Sequence, residues 1–322
     1  TDRDTDRDRH DDGYEHAHRD DGFDPLVYDV PMSGWDYAGE FARGLICGEA
    51  CPSDTIPWLL GNLAGGASSA IPVIGWITGT LADIRDAIAS AIRGEWVGAG
   101  LSIAGLVPYA GDAGAVLGKV GRFAARNADK ADEIAVAVLK AIDLPPSVQL
   151  DVLRRVYRSG VVDELLQRGV GQGALVRLAT GRVDLEVLAD GLRRSTAPRV
   201  GSAPFFSSWR DAEEFVRRAT GGVPKYFPTD PLGRGRFIDS CTGCDVLGEG
   251  IAREVKSGYV RYSSRIEQQI RKDAELLARG QVARVEWHFV ASASSNSLGA
   301  DPRVLDLLDQ HGIPYTIYPP GG

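Results

Sequence analysis

The residues best suited to chemistry lie late in the chain: Asp239, then fourteen residues, then Glu254-Val255-Lys256. Side chains in a strand alternate between faces, so a strand over residues 251–256 points Glu254 and Lys256 the same way. Asp239 closes the short run Arg236-Phe-Ile-Asp239. If the two segments pair as a hairpin, two carboxylates and an ammonium converge. Carboxylates a few ångströms apart repel each other, and a hard cation such as Mg²⁺ relieves that repulsion with oxygen ligands. The cation would polarise a phosphoryl oxygen and lower the pKa of its water. The ammonium would orient that water or stabilise developing negative charge. These are the requirements of phosphodiester hydrolysis. The tripeptide alone is a common one, and an exposed edge strand with a solvated Glu and Lys has the same spacing.

The elements that must position these groups read helix, strand, strand, helix, strand, helix, strand, which suggests a sheet flanked by helices. Residues 209–219 predict a helix with Asp211, Glu213 and Glu214 near its start, where acids suit the helix dipole. Residues 236–239 and 251–256 predict two strands joined by the hairpin loop CTGCDVLGEG. A helix follows over 263–279, with Ser264 and Glu267 at capping-box spacing and Ile266, Ile270, Ala274 and Leu277 as its buried stripe. A strand over 282–290, a helix over 302–311 and a strand over 313–317 complete the set. Alternation in the 282–290 strand puts Trp287 and Phe289 on one face, and Glu286 and His288 on the other.

The stretches Arg236-Phe-Ile-Asp239, Ala252-Arg-Glu-Val-Lys-Ser-Gly-Tyr259, Ser264-Arg-Ile-Glu-Gln-Gln-Ile-Arg-Lys-Asp273 and Val285-Glu-Trp-His-Phe289 resemble the restriction-endonuclease-fold toxin domains at the C-termini of bacterial polymorphic toxins. The resemblance covers roughly residues 205–320. It implies a PD-(D/E)xK nuclease domain with a central mixed sheet flanked by helices. By it, Asp239 and Glu254 are the metal ligands for Mg²⁺ or Mn²⁺, and Lys256 is the catalytic lysine. Gln269, in the Gln-Ile-x-Lys-Asp run, supports the site, and His288 matches the Trp-His-Phe of the next strand. A further acid on the first helix is expected, with Glu213 and Glu214 as candidates. Arg236, Arg253, Arg261, Arg265 and Lys272 are the candidate phosphate contacts, with Arg234 and Arg271 beside them in sequence; phosphate contacts supply most non-specific affinity for nucleic acid.

The chain of 322 residues is long enough for two or three domains, with 43% hydrophobic and 25% charged residues and a net charge of -8. That charge argues against coating nucleic acid by bulk attraction, though it allows a local basic site. Residues 1–22 are charged and nearly devoid of aliphatic side chains, and read as a disordered linker in which His10, His16 and His18 are solvated. Residues 23–128 read as a glycine-rich, apolar helical region. Thr55 to Ala82 holds no charged residue, long enough to raise a transmembrane helix, but Pro57, Gly61, Gly65, Gly66, Pro72, Gly75 and Gly79 break it. Short helices packed closely through small residues are the better reading. Pro72-Val-Ile-Gly75 and Pro108-Tyr-Ala-Gly111 echo each other around Asp83–Ile88 and Gly94–Leu101, a pattern that resembles the helical region preceding such toxin domains. Residues 129–200 read as a helical linker region, residues 195–208 as the passage into the last domain, and residues 201–322 as the nuclease domain. Cys47 with Cys51, and Cys241 with Cys244, allow two local disulfides, free thiols or one four-thiolate zinc site.

A chain that starts at Thr1, has Met32 as its single methionine and shows no signal peptide reads as a piece of a longer polypeptide. The resemblance then implies a secreted or surface-delivered endonuclease toxin, cut from a carrier polypeptide or moved by a secretion apparatus. It would act in the cytoplasm of a target cell, on DNA before RNA, and be held in check by a cognate immunity protein. An RNase of the same fold, acting on tRNA, is the alternative. So is a membrane-acting protein that touches the bilayer transiently through residues 55–111, with an inert C-terminal domain.

Overall fold

A computed structural model describes residues 32–68, 113–197, 203–228 and 235–321. The expected linker over 1–22 lies outside them. So does most of the glycine-rich region, including Pro72–Gly75 and Pro108–Gly111. Its first helices are described. Helix α1 (Gly34–Cys47) starts at Ser33, which forms a capping box with Asp36. It packs against α2 (Ile56–Ser68) at backbone contact. A Cβ on Gly44 would overlap the Trp58 carbonyl oxygen, and one on Gly61 would overlap that of Phe41. The small residues of this region therefore do what their density suggests: they let two helix backbones touch. A disulfide between Cys47 and Cys51 closes the end of α1. Among the described residues no helix is long and apolar enough to cross a membrane.

The helical stretch over 129–195 is present. Helix α3 (Ala113–Arg126) leads into α4 (Ala131–Ala141), α5 (Pro146–Val156), α6 (Val161–Gln167), α7 (Gln172–Thr180) and α8 (Leu185–Arg194). Helix α4 is apolar on nearly every side, with Ile134 to Leu139 all buried, so it becomes the helix the others surround. Pro146 begins α5, where a missing N–H costs nothing. These helices also pack onto the sheet that follows. Gly191 of α8 lies so close to it that a Cβ would sit 2.6 Å from Ile317 Cδ1. Thr196 and Ala197 N–H both donate to the Tyr315 carbonyl. The passage predicted over 195–208 is thus tied to the sheet where it is described, with further bridges from Ala203 to Pro320 and from Phe206 to Ser292.

Helix α9 (Trp209–Thr220) is capped by Ser208 and ends at Gly221, which adopts the left-handed conformation that glycine favours. Then come β1 (Val223–Pro228), β2 (Gly235–Thr242), β3 (Ile251–Ser257), the short β4 (Tyr259–Val260), α10 (Ser264–Ala278), β5 (Arg284–Val290), the short β6 (Gly299–Ala300), α11 (Pro302–Gln310) and β7 (Tyr315–Ile317). Five strands form one mixed sheet in the order β1-β2-β3-β5-β7. The first three are antiparallel neighbours, and β3, β5 and β7 are parallel. Helix α10 covers one face, burying Ile270 and Leu276 in the cluster that holds Ala252, Trp287 and Phe289. Helix α9 covers the other, burying Ala212 and Val216 with Val255, Val290 and Tyr318. The fold is therefore mixed α/β with a helical N-terminal half and a helix-flanked mixed sheet.

Three local readings change. Strand β1 was not predicted, because VPKYFP carries two prolines; an edge strand tolerates them, since its outer N–H groups need no partner. Strand β2 runs on through Cys241 and Thr242, so the connecting loop is shorter than CTGCDVLGEG. The cap of α10 is Ser263, not Ser264; Glu267 instead accepts from Tyr262 Oη at 2.5 Å and pairs with Arg271 at 2.6 Å.

Candidate active site

Strands β2 and β3 are in register from Ser240↔Arg253 to Thr242↔Ile251, and the ladder stops there. On its other side β2 pairs with β1 as Val223↔Cys241 and then Lys225↔Ile238, a step that leaves one extra residue on β2 at Asp239–Ser240. An extra residue of this kind bends the strand and re-aims its side chains. Asp239 then replaces the missing ladder partner: its Oδ2 accepts the Val255 N–H at 2.8 Å. The carboxylate is thereby fixed beside β3, where Glu254 and Lys256 share one face as alternation requires. Lys256 Nζ donates to Glu254 Oε1 at 2.6 Å and to Gln269 Oε1 of α10 at 3.0 Å. The same ammonium lies 5.2 Å from the centre of the Trp287 ring, within range of a cation–π attraction.

The two acids expected on α9 face different ways. Glu214 faces solvent and pairs with Arg218 at 2.6 Å. Glu213 turns inward and is pushed up to about 7, by burial first and then by the charge of Glu254, against the pull of Arg217 and Lys256. Asp239 is pushed well above the ordinary carboxylate range by burial, and then by Glu254 and Glu213. Burial alone would raise Glu254 as well, but Arg236 and Lys256 beside it hold it below its ordinary value. The cluster therefore favours the proton on Asp239 over Glu254.

Arg236 is the cation that makes this density of acid tolerable. It is buried, and reaches Glu254 Oε2 at 2.8 Å and Asp273 Oδ1 at 2.6 Å. Asp273 is fully buried on α10 and also accepts from the Trp287 indole N–H at 2.9 Å. Burial raises the Asp273 carboxyl, opposed by the adjacent Arg236. Although Arg236 stands at ion-pair distance, Glu254 Oε2 has no aligned hydrogen bond, and it is buried. The spacing that predicts a helix here gave no sign that Asp273 anchors the site; the cue was an acid one position off an apolar stripe.

Four of the expected site residues, Asp239, Glu254, Lys256 and Gln269, are thus brought together with Glu213. His288 is not. It stands on the opposite sheet face, in register with Val255, because β3 and β5 are parallel and alternate together. It is fully buried, its Nδ1 bonded to Tyr318 Oη at 2.9 Å and its Nε2 3.5 Å from Glu286 Oε2. Burial depresses its pKa, opposed by Glu286. Arg253 shares that face. It is buried, with Nε 2.9 Å from Glu286 Oε2 and Nη1 2.9 Å from Thr242 Oγ1, so it does not reach for phosphate. Arg236 is likewise committed to buried carboxylates. Lys272 donates to the Gly235 carbonyl at 3.1 Å, while Arg261 and Arg265 are exposed. Arg234 lies outside the described residues. The four cysteines form the two local pairs, Cys47–Cys51 and Cys241–Cys244, so the shared zinc site is ruled out by their partners.

Among the described residues no group of three or more His, Cys, Asp or Glu side chains is arranged to hold a metal. The cluster suits a cation held by two carboxylates all the same: Asp239 and Glu254 are both buried, and the negative charge that Glu254 and Glu213 set around Asp239 is what a cation would relieve. Compared with family models, curated proteins and solved structures, the chain matches none.

Proposed function

We propose that the sheet domain is a metal-dependent nuclease of the PD-(D/E)xK type. The observation that carries this reading is the seat of Asp239 on the Val255 N–H, next to Glu254 on β3, with Lys256 on the same strand face as Glu254 and bonded to it. The element order of one helix, three antiparallel strands, a helix and a parallel strand supports it. Asp239 and Glu254 would hold Mg²⁺ or Mn²⁺. Such ions keep several waters and take one or two carboxylates plus substrate phosphate, which suits a site offering two acids. The bound ion supplies a nucleophilic water and charge stabilisation at phosphorus. Lys256 places its ammonium beside that position, held by Gln269 from α10 and steadied over Trp287. Glu213 adds a carboxyl titrating near neutrality, suited to moving a proton.

The resemblance to polymorphic-toxin domains extends this reading to an effector delivered from a larger secreted polypeptide. DNA of a competing cell is its leading substrate, and an immunity protein protects the producer. The test is incubation of the full chain with plasmid and Mg²⁺, beside Lys256→Ala. Cleavage lost in the variant supports the reading; plasmid left intact by both counts against it.

A further inference from the structure

Helix α9 carries one more arginine beside the acid cluster. Arg210, Glu213 and Arg217 are spaced by three and then four residues, so they share one stripe of the helix. Arg210 could pair along that stripe with Glu213 or Glu214. Instead Arg217 meets both acids, Glu213 at 3.7 Å and Glu214 at 3.3 Å, and Arg218 meets Glu214 at 2.6 Å. The Arg210 guanidinium lies over the Trp209 indole, 5.0 Å from the ring centre. Its charge is felt at Glu213, as are those of Glu254 and Lys256, so it stands within electrostatic reach of the cluster. Arg210 is exposed, and among the described residues no carboxylate lies at ion-pair distance from it.

Helix α10 repeats this arrangement on the other face of the sheet. Arg265 is exposed and stands one turn before Gln269, whose side chain bonds Lys256 at 3.0 Å, just as Arg210 stands one turn before Glu213. Arg265 likewise has no carboxylate at ion-pair distance among the described residues. The two helices also start at the same end of the sheet. Phe206, shortly before α9, bridges to Ser292 just past the end of β5. After α9, Val223 pairs with Cys241, which stands opposite Ala252 near the start of β3. Helix α10 is capped by Ser263, shortly after β3 ends at Ser257. After α10, the Ala283 N–H donates to the Gly250 carbonyl, just before β3. Both first turns therefore lie toward the carboxyl ends of β3 and β5, as does Lys256, the last residue but one of β3. In open α/β sheets, ligands bind outside that edge.

A cluster of acids repels the phosphates it would act on. A nucleic-acid backbone therefore needs cations nearby that are not committed to carboxylates, because phosphate contacts supply most of its non-specific affinity. A guanidinium offers phosphate a planar fork, and stacking on an aromatic face holds that fork in place. We infer that Arg210 is a phosphate-binding residue, and that Arg210 and Arg265 grip the backbone on either side of the linkage that reaches Asp239, Glu254 and Lys256. This rests on the nuclease reading and makes its substrate a polynucleotide, DNA or RNA, held on both flanks.

The test is fluorescence anisotropy of the full chain with a labelled DNA duplex and a labelled tRNA across a salt series, in EDTA so that cleavage does not intervene. Arg210→Ala is expected to weaken binding roughly fivefold at low salt and to reduce the salt dependence of log K by about one; Arg210→Ala combined with Arg265→Ala should reduce it by about two. Arg210→Lys keeps the charge and is expected to keep the salt dependence. Arg218→Ala, at the far end of α9, is expected to bind like the wild type. Unchanged circular dichroism and melting confirm that the variants fold. The Arg210→Ala loss is then measured again in Glu213→Gln. A phosphate contact loses as much in that background, whereas a group that acts through the Glu213 carboxyl loses nothing there. The DNA and tRNA arms decide which backbone is held. An unchanged salt dependence in Arg210→Ala, a loss that vanishes in Glu213→Gln, or a double variant no weaker than either single one would overturn the inference. If the wild type cleaves with Mg²⁺ while Arg210→Ala binds and cleaves like it, the inference falls and the nuclease reading stands. If the wild type binds no nucleic acid and cleaves none, both fall.

Discussion

Strands β3 and β5 lie side by side and divide their charged residues between two faces of one sheet. One face carries Glu254 and Lys256, with Trp287 beneath. The other carries Arg253, Glu286 and His288. Each set places a buried glutamate beside cations, yet their electrostatics differ. Glu286 is compensated twice, by Arg253 and by Arg284, each at 2.9 Å. Glu254 is also met twice, by Arg236 at 2.8 Å and Lys256 at 2.6 Å, but it shares Arg236 with Asp273 and faces Asp239 and Glu213, so acid outnumbers base. A compensated buried network holds a fold together; an uncompensated one stores repulsion that a bound cation would relieve. Burial and polarity alone do not separate a structural cluster from a functional one, whereas the balance of charge does.

The largest effects should come from exchanging one charge on each face. Asp239→Asn keeps an oxygen for the Val255 N–H and removes a carboxyl from a crowded site. It is expected to lower cleavage at least about 10²-fold, on the scale of losing one preorganised charge-stabilising group, while leaving the melting temperature unchanged or higher. Glu286→Gln strips a buried partner from two arginines. It is expected to cost about 3 kcal/mol in a denaturant titration and to leave the activity of folded protein unchanged. The comparison breaks if the two variants lose stability and activity in parallel.

Smaller effects follow from titration, measured without metal. Glu213 rises to about 7 on folding, so its ionised form is disfavoured in the native state. The stability it contributes is complete below its unfolded value and is lost as pH rises through about 7. His288 is depressed on folding, so its contribution is present above its ordinary value and is lost as pH falls. Melting curves should therefore flatten on the alkaline side in Glu213→Gln and on the acid side in His288→Gln, by about 2–4 °C each. The smallest effect is expected from Arg265→Ala, which should weaken nucleic-acid binding evenly across sequences and reduce the salt dependence of log K by about one. An effect confined to particular sequences would assign Arg265 to base contact instead.

Much of this was legible in the chain. Strand alternation put Glu254 and Lys256 on one face, and the same rule put His288 with Glu286 and away from Trp287. The resemblance, by matching Trp-His-Phe, drew His288 toward the site, and parallel register with β3 sends it to the far face. Choosing Glu213 over Glu214 needed the side on which α9 packs. Arg236 and Arg253 read as phosphate contacts because arginines near a carboxylate site usually are; three-dimensional pairing with Asp273 and Glu286 commits both. The bulge that aims Asp239 leaves no compositional mark, since it arises from a register difference between the two edges of β2.

The most direct test compares three full-length proteins, wild type, Asp239→Asn and Glu286→Gln, on DNA and tRNA side by side with Mg²⁺ and with EDTA, at a temperature where all three are folded. Metal-dependent cleavage of at least one substrate by the wild type and Glu286→Gln, and of neither by Asp239→Asn, is the predicted result. Cleavage that survives in Asp239→Asn, or that disappears with Glu286→Gln alone, would contradict it.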